Sequence, residues 1–323
     1  MKSLLKTLIP KQVFVRAIEM YFRIRQLWPI WFYIVNRKPR NHFQKNSPAL
    51  TSVQKRIVRE LTETGIAIAH IDELFPGENL LARFQAYTRE LRDKAEVKTS
   101  KTFLLNLWET RPPLDFQNSF VKLSCSNTVL NIVNSYMEMW ARFYVFTLNV
   151  TMPVGEKADA FASQRWHRDP EDKKQCKFFL YLTDVDRESG PFIYVTKSHY
   201  QGTYGSLFPR NPPAGVYPKD GEVERAIPNE DIKICTGKAG TVIFCDTGGL
   251  HRGGYAIKNE RIMFTSGYYS SASVWRTLFS YSADLAAKLH NVELCEEAKW
   301  AITFNSNRFS ARLLHWYKGA RGD

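Results

Sequence analysis

The chain has 323 residues, of which 44% are hydrophobic and 14% aromatic, enough for one large all-β domain with helical additions or for two ordinary domains. Glycine and proline stand at ordinary levels, which excludes wholesale disorder. The net charge of +13 is local: residues 1–60 hold 13 Lys/Arg against 2 Asp/Glu, and the remaining 263 hold 32 against 30, so no basic groove for nucleic acid is expected in the body.

Residues 1–45 form a basic amphipathic N-terminal segment. Val13, Ala17, Met20, Ile24, Leu27 and Trp31 recur at spacings of three and four, with Gln12, Arg16, Glu19, Arg23 and Gln26 between them. On a helix these become two opposite faces. The longest uncharged run is 11 residues, Gln26 to Asn36, well short of the roughly 20 a spanning helix needs. Two readings are open: a helix lying on an anionic membrane, or one packing its apolar face onto the protein's own body.

Residues 46–323 then read as a second unit. Helices are predicted over 52–64, 76–97 and 126–142, with a short strand over 65–70 between the first two. After that the character changes. Residues 143–151, 177–182, 191–195, 240–245 and 261–269 are rich in aromatic and β-branched residues and read as strands. Residues 202–230 are rich in Gly, Pro and charge and read as a long loop, a candidate lid. Residues 281–320 read as helical again. A block of short strands flanked by helices suggests a mainly β sandwich or barrel. The five cysteines are odd in number and have no C-x-x-C spacing, which argues against a disulfide framework and a structural zinc site and for a cytoplasmic setting, peripheral to the membrane if the first segment binds it.

The sharpest chemical signal is Gln164-Arg-Trp-His167-Arg-Asp169-Pro. A strand sends positions i and i+2 to one side, so His167 and Asp169 can offer an imidazole and a carboxylate to one point. The second signal is the apolar run Gly240 to Cys245, which leads into Asp-Thr-Gly-Gly-Leu-His251-Arg-Gly-Gly, a glycine-rich turn presenting a histidine. Arg261 follows ten residues later inside a strand, where a buried guanidinium needs an anionic partner. Two His and one carboxylate leave three of six octahedral positions open, the facial triad of non-haem iron(II) oxygenases. The keto-acid end of 2-oxoglutarate and O2 would fill them, and Arg261 would fork onto the cosubstrate's distal carboxylate. Ascorbate is the expected reductant.

Beside these residues stand Phe179-Leu-Tyr-Leu-Thr-Asp-Val-Asp-Arg-Glu-Ser-Gly-Pro191 and Ile193-Tyr-Val-Thr-Lys-Ser198-His199. Together they resemble the phytanoyl-CoA dioxygenase-like branch of the iron/2-oxoglutarate oxygenases over roughly residues 140–270. Lys197 departs from the glycine usual before Ser-His. The resemblance implies a double-stranded β-helix, or jelly-roll. It implies His167, Asp169 and His251 as iron ligands, Arg261 as the 2-oxoglutarate anchor and Tyr181 as an aromatic wall against the cosubstrate. Asp169 stands where the halogenases of the group carry a small residue, which favours hydroxylation of an aliphatic C–H bond in a small-molecule, sugar or lipid-linked substrate. A catalytically silent binding module and a zinc hydrolase are the alternatives.

Other residues are weighed against plainer roles. Trp166 reads as core or cavity wall, and His199 as a turn hydrogen-bonder. Cys176 and Cys245 read as buried thiols. Arg168 and Arg252 are either solvated or at the mouth facing an anionic substrate, and Asn149 lies on the strand before the site.

Overall fold

The computed structural model describes residues 11–94, 99–101, 103–154, 162–281, 292–303 and 308–321. Its strands are β1 (Ile66–His70), β2 (Thr99–Lys101), β3 (Leu104–Asn106), β4 (Arg142–Thr151), β5 (Gln175–Tyr181), β6 (Phe192–Val195), β7 (Ile232–Cys235), β8 (Thr241–Cys245), β9 (His251–Gly253) and β10 (Arg261–Tyr269). They form two antiparallel sheets, one of seven strands in the order β1-β8-β5-β10-β4-β3-β2 and one of three in the order β7-β6-β9.

Alternation along the strands decides what each face meets. Cys176, Phe178 and Leu180 of β5, Val242 and Phe244 of β8, and Phe264 and Tyr268 of β10 point into a large core shared with the helices. Phe179 and Tyr181 of β5 and Ile243 and Cys245 of β8 point the other way, against Phe192 and Tyr194 of β6 and Cys235 of β7. The molecule is therefore layered as helices, large sheet, small sheet. Because the central strands are buried on both faces they read as near-continuous apolar runs, and each such side chain contributes about 1.5–3 kcal/mol.

The main helices are α1 (Lys11–Arg25), α2 (Arg37–Lys45), α3 (Ser52–Thr64), α4 (Leu80–Lys94), α5 (Asn127–Met137) and α6 (Arg308–Arg321). A π-helical turn, Ile30–Val35, joins the first two. The span of α3 matches the sequence expectation, because both of its ends are capped. Thr51 and Gln54 form a reciprocal capping box, and Gly65 closes the helix at φ +80°.

Four expectations need correction. Among the described residues helix (39%) outweighs strand (21%), so the chain is not mainly β but two antiparallel sheets with flanking helices. The predicted helix 126–142 stops at Met137, because Glu138 turns left-handed (φ 59°) and frees the chain to enter β4. The predicted helix 76–97 begins at Leu80, and residues 95–98 lie outside the described ones. Finally, β2, β3, β7 and β9 went unpredicted, being three or four residues long. Of the C-terminal helical stretch, Glu296–Ile302 and α6 are helical, while 282–291 and 304–307 lie outside the described residues. No helix among the described residues is long and apolar enough to cross a membrane.

The N-terminal segment is joined to the body. Trp31 is fully buried and its Nε1 donates to Asp172 Oδ1 (2.6 Å). Asn36 Nδ2 donates to Ser270 Oγ (2.9 Å), and its Oδ1 accepts from Ala272 N (3.1 Å). Ile18 and Phe22 of α1 pack on Leu314 and Tyr317 of α6.

Candidate metal centre

His167 and His251 face one another as a directly opposed antiparallel backbone pair, each N–H donating to the other's carbonyl at 3.0 Å. This exchange of both backbone hydrogen bonds fixes the two residues in register, and their rings stand 4.1 Å apart, centroid to centroid. Asp169 is anchored next door by its own N–H on Thr247 O (2.9 Å). The turn that delivers His251 is itself pinned. Tyr194 donates to Asp246 O (2.9 Å), Tyr136 donates to Asp246 Oδ2 (2.7 Å), and Leu250 N donates to Ser198 Oγ (2.7 Å). Glycine is required at Gly249, where a Cβ would stand 2.2 Å from Tyr194 Oη.

His167, Asp169 and His251 are all buried, and their ligand atoms all lie within 4.8 Å of one another. Asp169 Oδ1 lies 3.7 Å from His167 Nε2, and Oδ2 lies 3.7 Å from His251 Nε2. The second nitrogen of each ring settles its tautomer. His167 Nδ1 faces Arg165 O (2.8 Å) and His251 Nδ1 faces Gly249 O (3.0 Å), so both carry their hydrogen on Nδ1 and direct the Nε2 lone pair inward. Burial, then the neighbouring His167, pulls the His251 imidazolium down to about 3, which keeps the ring neutral at neutral pH. Burial pushes the Asp169 carboxyl up, but Lys177 and the two imidazoles outweigh it and hold the group well below the usual carboxylate range. Two neutral imidazoles and one carboxylate, pre-oriented from the backbone, are the donor set a divalent transition metal takes.

Lys177 is one residue at this centre that the sequence reading missed. It sits on β5 with its Nζ donating to Asp169 Oδ2 at 2.5 Å. A lysine two residues from Phe179 and four from Tyr181, in a strand whose other residues after Gln175 are apolar, was the available signal, since all three share a face. Glu171 lies close by, pushed up to about 7 by burial and by the Asp169 charge. Tyr217 was also missed, and its ring stacks over His167 at 5.6 Å. The predicted long loop holds a helical turn, Glu222–Ala226, and brings Tyr217 and Arg210 to the centre. Arg210 donates to Asp169 O (2.7 Å) and Lys173 O (3.1 Å), and also to Asp172 O.

Arg261 opens β10 opposite Thr151. Its NH2 donates to Thr151 Oγ1 (3.0 Å) and its NH1 to Gly190 O, while the buried Nε has no partner. Among the described residues no carboxylate reaches this guanidinium. Tyr181 lies beside it, with its hydroxyl shared between Cys235 O (2.9 Å) and Phe192 N (3.2 Å).

The remaining candidates have structural places. Arg168 is not solvated: it is buried and its guanidinium holds the carbonyls of Ser198, Gly248, Tyr204 and Leu207. Trp166 is buried and donates to Glu224 Oε1 (2.7 Å), while Arg252 lies over the Trp166 ring and pairs with the same carboxylate. His199 Nε2 bonds Thr62 O (3.1 Å). Cys176 and Cys245 are buried thiols raised by desolvation. Asn149 donates to Thr147 Oγ1 (3.2 Å), with its own buried Oδ1 unpartnered.

The epimerase SnoN, solved with Fe3+, alpha ketoglutarate and nogalamycin RO, aligns over 70% of this chain and 87% of its own at a TM-score of 0.52 and 14% identity. The two chains share a fold. At that identity the likeness speaks for the fold and not for the reaction. EctD from S. alaskensis with bound Fe aligns over 76% of this chain and 86% of its own, at 14% identity and a TM-score of 0.48. The carbocyclase SnoK from nogalamycin biosynthesis aligns over 76% and 92%, at 15% identity and 0.48. No family model matches the chain, and no curated protein does.

Proposed function

We propose that the protein is an Fe(II)- and 2-oxoglutarate-dependent dioxygenase of the phytanoyl-CoA dioxygenase-like kind, hydroxylating an aliphatic C–H bond of a small-molecule, sugar or lipid-linked substrate. One observation carries this reading: two buried imidazoles, fixed through Nδ1 on backbone carbonyls, turn Nε2 toward the carboxylate between them. His167, Asp169 and His251 would hold the iron. Iron(II) with 2-oxoglutarate and dioxygen supplies an oxidant strong enough for an unactivated C–H bond.

The chain's own residues would do the rest. Arg261, buried without a carboxylate partner, would take the distal carboxylate of 2-oxoglutarate through a two-pronged contact, with Tyr181 fixing its flank. Lys177 holds Asp169 Oδ2 and so orients the carboxylate. Tyr217 covers His167 and limits water. Buried polar atoms without partners, Tyr144 Oη, Glu171 Oε2 and Gln175 Oε1, favour a polar, hydroxyl-bearing substrate over a bare hydrocarbon.

The test is succinate formation from 2-oxoglutarate by the purified protein with iron(II) and ascorbate, beside Asp169→Ala and His251→Ala. Turnover that vanishes in both variants is expected, with iron(II) affinity at least about 100-fold weaker in each. A wild-type protein that binds neither iron(II) nor 2-oxoglutarate by calorimetry sinks the reading.

A further inference from the structure

Helix α1 is apolar on two opposite sides, and the fold uses only one. Ile18 and Phe22 are buried against α6. At 3.6 residues per turn Val13, Ala17, Met20 and Ile24 fall on a stripe about 60° wide on the other side, and Leu27 continues it past the helix end. All five are exposed, the larger four at 45% to 56%. The adjoining π-helical turn exposes Tyr33 (56%) and Ile34 (68%), and Phe309 (66%) stands beside Tyr21 of α1. Isolated exposed apolar residues are ordinary; a continuous row of them is not.

The surroundings of the stripe are cationic. Arg16 and Arg23 flank it on α1, and Arg37 and Lys38 follow Tyr33 and Ile34, all exposed. The one acid on α1, Glu19, is taken up by the Tyr317 hydroxyl (3.1 Å). At the C-terminal end of α1 lies a cavity of about 240 Å3 lined by Arg23, Gln26, Lys173, Tyr200 and Arg210 among others, with no carboxylate among its described lining residues. Arg168 and Arg210 are occupied with backbone carbonyls, while Arg23 donates to Asn211 Oδ1 (3.2 Å) and Lys173 lies over the Tyr200 ring (3.6 Å), so these two are the lining cations held only by neutral side chains. Lys173 is crowded: burial and the neighbouring Arg210 draw its ammonium down to about 8.

We infer that this face docks on an anionic phospholipid surface, with the apolar stripe of α1 entering the headgroup boundary and a lipid phosphate seated between Arg23 and Lys173. A second copy of the chain would bring the same cations against themselves, whereas an anionic bilayer complements both the apolar row and its basic border. The geometry is that of a helix lying in the interface plane rather than one crossing it. The inference does not depend on the metal chemistry.

The experiment is flotation of the full-length protein, without iron, on phosphatidylcholine vesicles with and without phosphatidylglycerol. Binding is expected only to the anionic vesicles and should weaken with added salt. Val13→Asn/Met20→Asn/Ile24→Asn/Leu27→Asn is expected to lose about tenfold or more in affinity. Arg23→Gln and Lys173→Gln should each lose about fivefold. All of these are checked by circular dichroism for an unchanged fold, and the stripe residues are exposed, so folding is expected to survive. Equal partition onto both vesicle types, or undiminished binding by the quadruple variant, overturns the inference. So does a concentration-dependent dimer in sedimentation that the quadruple variant dissolves.

Discussion

Strand β5 shows two environments on one backbone. On one side Cys176, Phe178 and Leu180 sit in an apolar core closed by the helices. On the other, Gln175, Lys177 and Tyr181 face the layer that ends in His167, Asp169 and His251, where polar side chains are bonded to one another and to backbone while a few buried polar atoms, Gln175 Oε1 among them, are left without a partner. The same hydrogen-bond ladder to β8 and β10 supports both. Rigidity is therefore supplied from one face while the other lines the candidate metal centre, and the two should respond separately to substitution.

The largest effect is expected on the apolar face. Phe178→Ala should cost about 3–5 kcal/mol of unfolding free energy in denaturant titrations, with metal affinity in the folded fraction unchanged. A matching loss of metal affinity would show that the faces are coupled. On the polar face Lys177→Met leaves the Asp169 carboxylate buried without its ammonium. The apoprotein should lose roughly 3 kcal/mol, and saturating metal should restore most of it by calorimetry. Arg261→Lys keeps the charge but not the fork, so 2-oxoglutarate affinity should fall by about 2 kcal/mol with iron affinity unaltered. The smallest effect is on pH dependence. The folded-state pKa of His251 lies below its unfolded value, so the unfolded chain binds more protons, and apoprotein stability should drop as pH falls from about 6.5 toward 3. Glu171, raised to about 7, contributes the opposite slope between about 4.5 and 7, so the comparison to make is wild type against His251→Gln.

What could be read from the sequence divides along the same line. The His-x-Asp spacing and the glycine-rich turn before His251 declare themselves locally, because alternation and turn chemistry act within a few residues. The apolar runs of β5, β8 and β10 likewise state their own conformation. Lys177, Arg210 and Tyr217 do not. Their roles arise from chain segments brought together by sheet order and by the loop after residue 202; alternation along β5 marks the face of Lys177, but no local pattern encodes its partner Asp169 or the approach of Arg210 and Tyr217. Helix α1 illustrates a third case. Its apolar periodicity at Val13, Ala17, Met20 and Ile24 is plain in the sequence, yet the fold buries Ile18 and Phe22 on the opposite side. Periodicity identifies an apolar face without saying which surface will cover it.

The backbone pairing of His167 with His251 has a kinetic corollary. These residues are far apart along the chain, and β8 must already lie beside β5 before the turn after Cys245 can offer its histidine. Closing so long a loop is entropically costly until the sheet has formed, so the pairing belongs to the late stages of folding. A partly folded chain would then present single imidazoles and carboxylates rather than a tridentate chelate. Were a metal ion to bind at this centre, its capture would come last in maturation and would draw the whole structure toward the native state by mass action.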